Sequence, residues 1–506
     1  NPFDPFADPG PYENFDAISA RNGLLNGQRP ASVYGLWNNI GLLNNNYSTR
    51  QTDQIRVSAT GSADIGQHAV SVGVEYEQLA TRNYALGPVG LWTRARALTN
   101  FHIRELDKSD STVTYFFGTL PFITYDRLVG DDQAYFDRNL REALGLNPDG
   151  NDFIDVDAID PSVFSVDMFS ATELINDGNN LADFYGYDHT GKKISGTTTF
   201  EDFFDKKNED GEYLRYQKPF APQYIAGYVM DKFAFDDIIF NVGVRVDRYD
   251  ANQKVLKDKF LWQPAYTAGD AVPSASVSSQ LDNRPSNIGD DFVVYVDNYQ
   301  APTAVVGYRD GDDWYNADGV LLTDPSPLRQ ASGIQPYLTG VNTDFAGDIA
   351  GSKLVKSAFE DYKPSVNVMP RIAFSFPISD EAVFFAHYDI LTQRPTSNSR
   401  LDMINYTFIE NVTNTTVLNN PALKPTKTID YELGFQQVLS KSSSFKISAF
   451  YRELRDMIQV RNVLEAWPSQ YRTFDNLDFG TVKGLTLTYD LRKTGNVALR
   501  ASYTLQ

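Results

Sequence analysis

The sequence contains no cysteine. That absence excludes a disulfide framework and any thiolate metal site. Histidine is scarce too, with four in 506 residues. None of His68, His102, His189 and His387 stands in HExxH spacing or beside a GxSxG elbow, so no enzymatic centre of either kind is legible. No run of about 18 apolar residues occurs, so no transmembrane helix is available. Positive charge is in deficit, with 65 Asp and Glu against 45 Lys and Arg and a formal net charge of −20. That balance argues against nucleic acid, whose phosphate backbone wants a basic stripe. The chain opens on "NPFDPFADPGPYENFD", which reads as loop and not as a signal peptide.

What the chain does have is aromatic side chains, 29 Tyr and 33 Phe, and long stretches of strict alternation. In "NNPALKPTKTIDYELGFQQ" (419–437), Pro421 and Pro425 flank Leu423 and Lys424. Ile429, Tyr431, Leu433 and Phe435 then point one way, and Asp430, Glu432, Gly434 and Gln436 the other. Ile55, Val57 and Ala59 share a face with Val70, Val72, Val74 and Tyr76 across a turn at Gly66. Ile238, Phe240, Val242, Val244 and Val246 oppose Asn241, Arg245 and Asp247 after a turn at Asp236-Asp237. Further turns are expected at Ser379-Asp380, at 440–443 and near Thr494. Period-2 alternation of this kind specifies strands with one apolar and one polar side.

Ten such strands group into five hairpins. The turns inside the hairpins are short, whereas the connections 85–221, 251–368, 392–427 and 461–479 are long. That asymmetry predicts an all-β fold, a transmembrane antiparallel β-barrel with short turns at one end and large extracellular loops at the other. The apolar stripe would face lipid, with Tyr431 in the interfacial aromatic belt, and the polar stripe a wet lumen. A soluble β-sandwich also alternates, but its strands usually run nearer five or six residues than the ten to fifteen seen here. The expected division is therefore 1–53 as loop and strand entry, 54–84 a barrel hairpin, 85–221 a large loop with short helices and 222–250 a second hairpin. A loop with a small extra sheet fills 251–368, and 369–506 holds the remaining hairpins. Helices are expected over 89–103 and 133–145, the latter ending at Gly145, with S/T-x-x-E capping boxes at Ser170/Glu173 and Thr198/Glu201.

Three pieces carry a resemblance: "NPALKPTKTIDYELG" (420–434), "AFYRELRDMI" (449–458) and "FDNLDFGTVKGLTL" (474–487). In this order and spacing they resemble the barrel of TonB-dependent outer-membrane transporters, in particular the Bacteroidota branch of SusC-like and Oar-like proteins. "GYVMDKFAFDDIIFNVGVRVDRYD" and "PRIAFSFPISDEAVFFAHYD" resemble two further hairpins of the family. Thr486 departs from the pattern, standing where many members carry Glu. The resemblance implies a barrel of roughly 22 strands, of which this chain supplies part. It also implies a periplasmic TonB-type energy-coupling partner acting through a plug, and a surface lipoprotein partner in this branch. Neither plug nor TonB box is recognisable within these residues. Active import of a polar ligand is the function implied, an oligosaccharide, peptide or chelate captured by the loops. A non-transporting adhesin or structural subunit of an outer-membrane complex is the second reading, and a soluble glycan-binding β-protein the third.

Two groups of residues bear on ligands. The Tyr-rich loops could stack on sugar rings, or their aromatics could simply pack the loops together. In "NPDGNDFIDVDAID" (147–160), Asn147, Asp149, Asn151, Asp155 and Asp157 recur at the spacing of calcium-loop ligands, with Ile154 as the aliphatic anchor. Asp152 replaces the expected Gly, and Ala158 the bidentate Glu. The segment is read either as a structural Ca²⁺ site or as a solvated Asx-rich helix exit. His387 and Asp389 are expected to share the lumen-facing side of one strand.

Overall fold

Alternation produces the strands it predicts. The computed structural model describes residues 46–116, 120–330, 333–339, 354–411 and 416–506. Ten long strands form one antiparallel meander: β1 (Tyr47–Ile65), β2 (His68–Leu86), β3 (Gln223–Phe235), β4 (Ile238–Asp250), β5 (Ser365–Ser379), β6 (Ala382–Gln393), β7 (Thr426–Ser440), β8 (Ser443–Val463), β9 (Tyr471–Thr494) and β10 (Val497–Leu505). Each strand pairs with its sequence neighbours, so spatial order follows chain order. Every hairpin closes in a two-residue turn. Gly66 and Gly495 take φ of +64° and +63° there, and Asp236 supplies +48° in the β3–β4 turn. Positive φ gives the turn a twist that matches the flanking strands. The strands start earlier than expected, at 47 and 365 instead of 54 and 369: Ser48 to Asp53 is polar on both sides and carries no alternation, whereas Val366 and Val368 extend the apolar stripe of β5 beyond the expected boundary. Residues 1–45 of the expected opening segment lie outside the described residues.

The pairing sorts side chains into two faces. Leu433 of β7 stands between Ala386 and Ala449, and Leu487 of β9 between Ile447 and Tyr503. This apolar face is uncovered: Val74 is 62% exposed, Val368 56% and Leu433 54%. Stripes of this size on several consecutive strands need an apolar solvent. On the polar face, Phe385 lies flat over Gly434, its cross-strand partner. A Cβ at Gly434 would come within 2.2 Å of the ring. Tyr228 covers Gly73 in the same way, so these large rings occupy the polar side by filling the space a glycine leaves.

The chain forms two compact units. One comprises Gln51–Thr81 and Pro219–Gln506, and the other Arg82–Lys218 with the described residues up to Arg50. The second unit contains α1 (Pro88–Leu98), α2 (Tyr135–Ala143), α3 (Ala171–Ile175) and α4 (Asp202–Asp205), and the first three contribute to a core that includes Leu98, Phe136, Leu140, Leu174 and Phe184. Gly145 takes φ +71° beyond α2, as a helix-ending glycine should. Ser170 and Glu173 form the full capping box of α3. The second expected box does not form. Glu201 caps nothing, and the start of α4 is organised by Asp202, which accepts from Thr199 N at 3.0 Å. A separate hairpin, Leu106–Phe116 with Leu120–Arg127, also replaces the loop expected between the first two helices. In the first unit, the expected extra sheet has four strands within 293–322 and packs on α5 (Ala275–Asp282).

Candidate functional site

The polar face of β2 to β8 carries a continuous row of paired charges. Alternation puts Glu75 and Glu77 on this face of β2, and Arg245 and Asp247 on this face of β4. Register then brings them together around Tyr224 of β3. Arg245 Nε lies 2.7 Å from Asp247 Oδ1 and its Nη2 donates to Tyr224 Oη at 2.7 Å, while Tyr224 donates to Asp247 Oδ2 at 2.5 Å. Arg56 of β1 pairs with Glu75 at 2.8 Å. Arg394, just past β6, donates to Glu77 at 2.5 Å and lies over the Tyr224 ring, 4.9 Å from its centre. These groups border a cavity of about 410 Å³. Three guanidiniums and three carboxylates balance, so the wall offers donors and acceptors without a net field.

The row continues through β6, β7 and β8. His387 Nε2 stands 3.9 Å from both Asp389 and Glu432, and Lys446 4.0 Å from Glu432. Asp430 accepts from Arg452 Nε at 3.0 Å. His387 and Asp389 thus share one face, as expected. Sequence reasoning placed these side chains on the polar side but could not pair them. Arg394, which lies beyond the alternating stretch of β6, carried no signal at all.

The loop aromatics do something simpler than stack on ligands. Trp262, Tyr295, Tyr308, Trp314, Tyr406 and Tyr471 are all buried. Trp262 Nε1 donates to Tyr406 O at 3.0 Å, and Tyr471 donates to Lys259 O at 2.8 Å. These aromatics pack the long connections together.

The residues of 147–157 lie on a loop ordered from beneath by side-chain donors, two of them, Arg141 and Asn100, buried. Arg141, fully buried, donates to Asp152 O at 2.9 Å; Asn100 Nδ2 donates to Ile154 O at 2.8 Å; Gln133 donates to Pro148 O at 2.7 Å. His102 Nε2 lies 3.2 Å from Gly150 O. Above, Asp149 pairs with Arg138 at 2.5 Å and Asp157 with Arg96 at 2.5 Å. Asn147 and Asp155 accept the backbone N–H groups two residues on, and the Asn151 side chain is exposed. No group of three or more His, Asp or Glu placed to hold a metal ion occurs among the described residues. In the same unit, burial pushes the Glu173 carboxyl up and the His189 imidazole down from their ordinary ranges. Both shifts follow from taking the charged form out of water.

A strand meander with an apolar outer stripe, two-residue turns and long folded connections has a counterpart among known families. The family model described as TonB dependent receptor-like, β-barrel, matches residues 4–506. The chain belongs to this family. As a TonB-dependent receptor barrel it is an outer-membrane protein, its apolar face against lipid and its polar face towards the lumen. No helix among the described residues is long and apolar enough to cross a membrane. Comparison with curated proteins returned no match. Among solved structures, the chain is similar to the copper transporter OprC, at 9% identity and TM-score 0.33, covering 90% of this chain and 39% of that one. It is similar to a double mutant of the Serratia marcescens hemophore receptor HasR in complex with HasA and heme, at 10% identity and TM-score 0.36, covering 91% and 42%. It is also similar to the alcaligin receptor FauA from Bordetella pertussis, at 9% identity and TM-score 0.31, covering 91% and 39%. The chain spans about two-fifths of the length of these proteins.

Proposed function

We propose that the protein is the barrel portion of an outer-membrane active transporter importing a polar ligand such as an oligosaccharide, peptide or chelate. The observation that carries this reading is the charge-balanced polar wall from Arg56 to Arg452. A passage must bind weakly at many points and strongly at none, and paired carboxylates and guanidiniums provide that. The long connections would lie outside the cell and capture the ligand. A periplasmic TonB-type protein would drive uptake through a plug, and a surface lipoprotein would assist capture. The spelling of 420–434 and 474–487 supports placement in the Bacteroidota SusC-like or Oar-like branch. Epitope tags at Asn180 and Asp312 should bind antibody on intact cells, and a tag at Thr494 should bind only after the membrane is broken. Labelling of the Thr494 tag on unbroken cells would reverse the topology.

A second reading, a surface adhesin or structural subunit, is favoured by the folded 82–218 unit with a core of its own. Excision of 88–218 separates the two: uptake survives excision if the unit is an adhesive module, and fails if it gates the ligand.

Calcium at 147–157 is proposed in one form only. The ion would have to take Asp149 from Arg138 and Asp157 from Arg96, and would order a loop already held from below. Metal analysis at millimolar calcium reads this. One bound ion, lost on Asp149→Ala with Asp155→Ala, supports the site; no bound ion, or an ion that survives the double change, removes it.

A further inference from the structure

The motifs that carry the family resemblance meet at a second cavity, of about 300 Å³, bordered by residues of three long connections. Asn476 holds it together. Its Oδ1 accepts from Lys424 N at 2.8 Å, and its Nδ2 donates to Lys424 O at 3.0 Å and to Asp456 O at 2.7 Å. One amide therefore ties the backbones of Lys424 and Asp456 to the same point. Asn420 Nδ2 fastens the other end of the segment to Phe474 O at 2.8 Å.

The charges at this cavity divide into two kinds. Lys259 is paired with Asp312 at 2.6 Å, and Arg461 with Asp475 at 3.1 Å. Among the described residues, Lys424 and Asp456 have no ion-pair partner, although Asn476 brings their backbones together. Asp456 also takes φ +58° where the register of β8 against β9 shifts. A non-glycine residue in this region costs of order 1 kcal/mol or more and recurs at ligand clamps; bulges re-aim side chains next to sites. The rest of the lining includes apolar surface from Leu256, Pro421, Ala422 and Val463.

We propose that this cavity binds a small zwitterion, an α-amino acid or the equivalent dipeptide, with an uncharged apolar side chain. Lys424 takes the carboxylate, Asp456 takes the ammonium, and the apolar surface takes the side chain. A volume near 300 Å³ is at the small end for ligand sites and excludes a folded peptide. Any part the site plays in uptake rests on the transport reading, but binding is measured without transport and stands or falls separately.

The test is calorimetry on the purified protein with three probes: leucine, N-acetylleucine, which lacks the ammonium, and leucinamide, which lacks the carboxylate. Leucine should bind saturably and at least about tenfold more tightly than either analogue. Asp456→Asn removes the charge while asparagine still tolerates positive φ. It should abolish the preference for leucine over N-acetylleucine and leave the preference over leucinamide. Lys424→Met should do the reverse. No saturable heat with leucine up to about 10 mM, or both preferences intact in both variants, would overturn the site. Binding in a protein that proves unable to transport would leave the site standing and remove the transport reading.

Discussion

Alanine at position 137 should destabilise the 82–218 unit by about 3–5 kcal/mol, the largest single effect expected in this protein. Asp137 is fully buried and accepts from Arg141 Nε at 2.7 Å, Asn100 N at 2.8 Å and Gln133 Nε2 at 2.8 Å. Arg141 is equally buried. Removing the carboxylate strands a guanidinium in the core, where it can neither reach water nor find another anion. The same guanidinium pins Asp152 O, so hydrogen exchange should accelerate over 147–155 before the unit melts. Arg141→Met added to Asp137→Ala should recover part of the loss, because the stranded charge is then gone. Asp149→Ala supplies the control. Its pair with Arg138 is solvated on both sides, and such pairs contribute about 0–1 kcal/mol. Equal losses from Asp137→Ala and Asp149→Ala would contradict a buried ion pair.

Leu487→Arg should weaken the barrel by about 2–4 kcal/mol, the cost of a cation on the lipid face near mid-membrane. Leu487 sits between Ile447 and Tyr503, with no charged group opposite on either strand. Thr488 is one residue on and stands between Lys446 and Ser502. Thr488→Arg should therefore retain nearly the full heat-modifiable folded band that Leu487→Arg loses. Comparable losses from both would mean that the register of β9 is wrong.

The strands were legible because their physics is local. Alternation from Ile429 to Phe435 or from Ile238 to Val246 specifies both the strand and its faces, and Gly66 or Asp236 marks a turn through its own φ. The Ser170/Glu173 box was legible for the same reason. Thr198/Glu201 has identical spacing, yet the helix starts only at Asp202, whose carboxylate accepts the Thr199 N–H, and spacing alone does not reveal that later start. The hairpin at 106–127 was missed because its alternation is short: Val113 and Tyr115 oppose Thr112 and Thr114, but Asp107 to Ser111 is polar on both faces. The acidic loop shows the limit most clearly. Its Asx spacing is local, but the groups that neutralise or anchor it come from elsewhere in the chain, Arg96 61 residues before Asp157 and Asn100 54 before Ile154. The same limit hid the lumenal cluster, since Arg394 meets Glu77 across 317 positions. Alternation assigns a face to a charge; only register assigns it a partner.

The absence of native cysteine makes the central claim, one lipid face and one watery face on every strand, open to direct measurement. Single cysteines at Leu485, Thr486, Leu487, Thr488 and Tyr489 would each be the only thiol in the chain. In the folded protein in bilayers, T486C and T488C should react with a water-soluble maleimide. L485C, L487C and Y489C should resist it, and a bimane placed there should be quenched by brominated lipid. A period-2 pattern in that phase is the predicted result; uniform labelling along 485–489, or the opposite phase, would contradict a lipid-facing Leu487 and with it the membrane barrel.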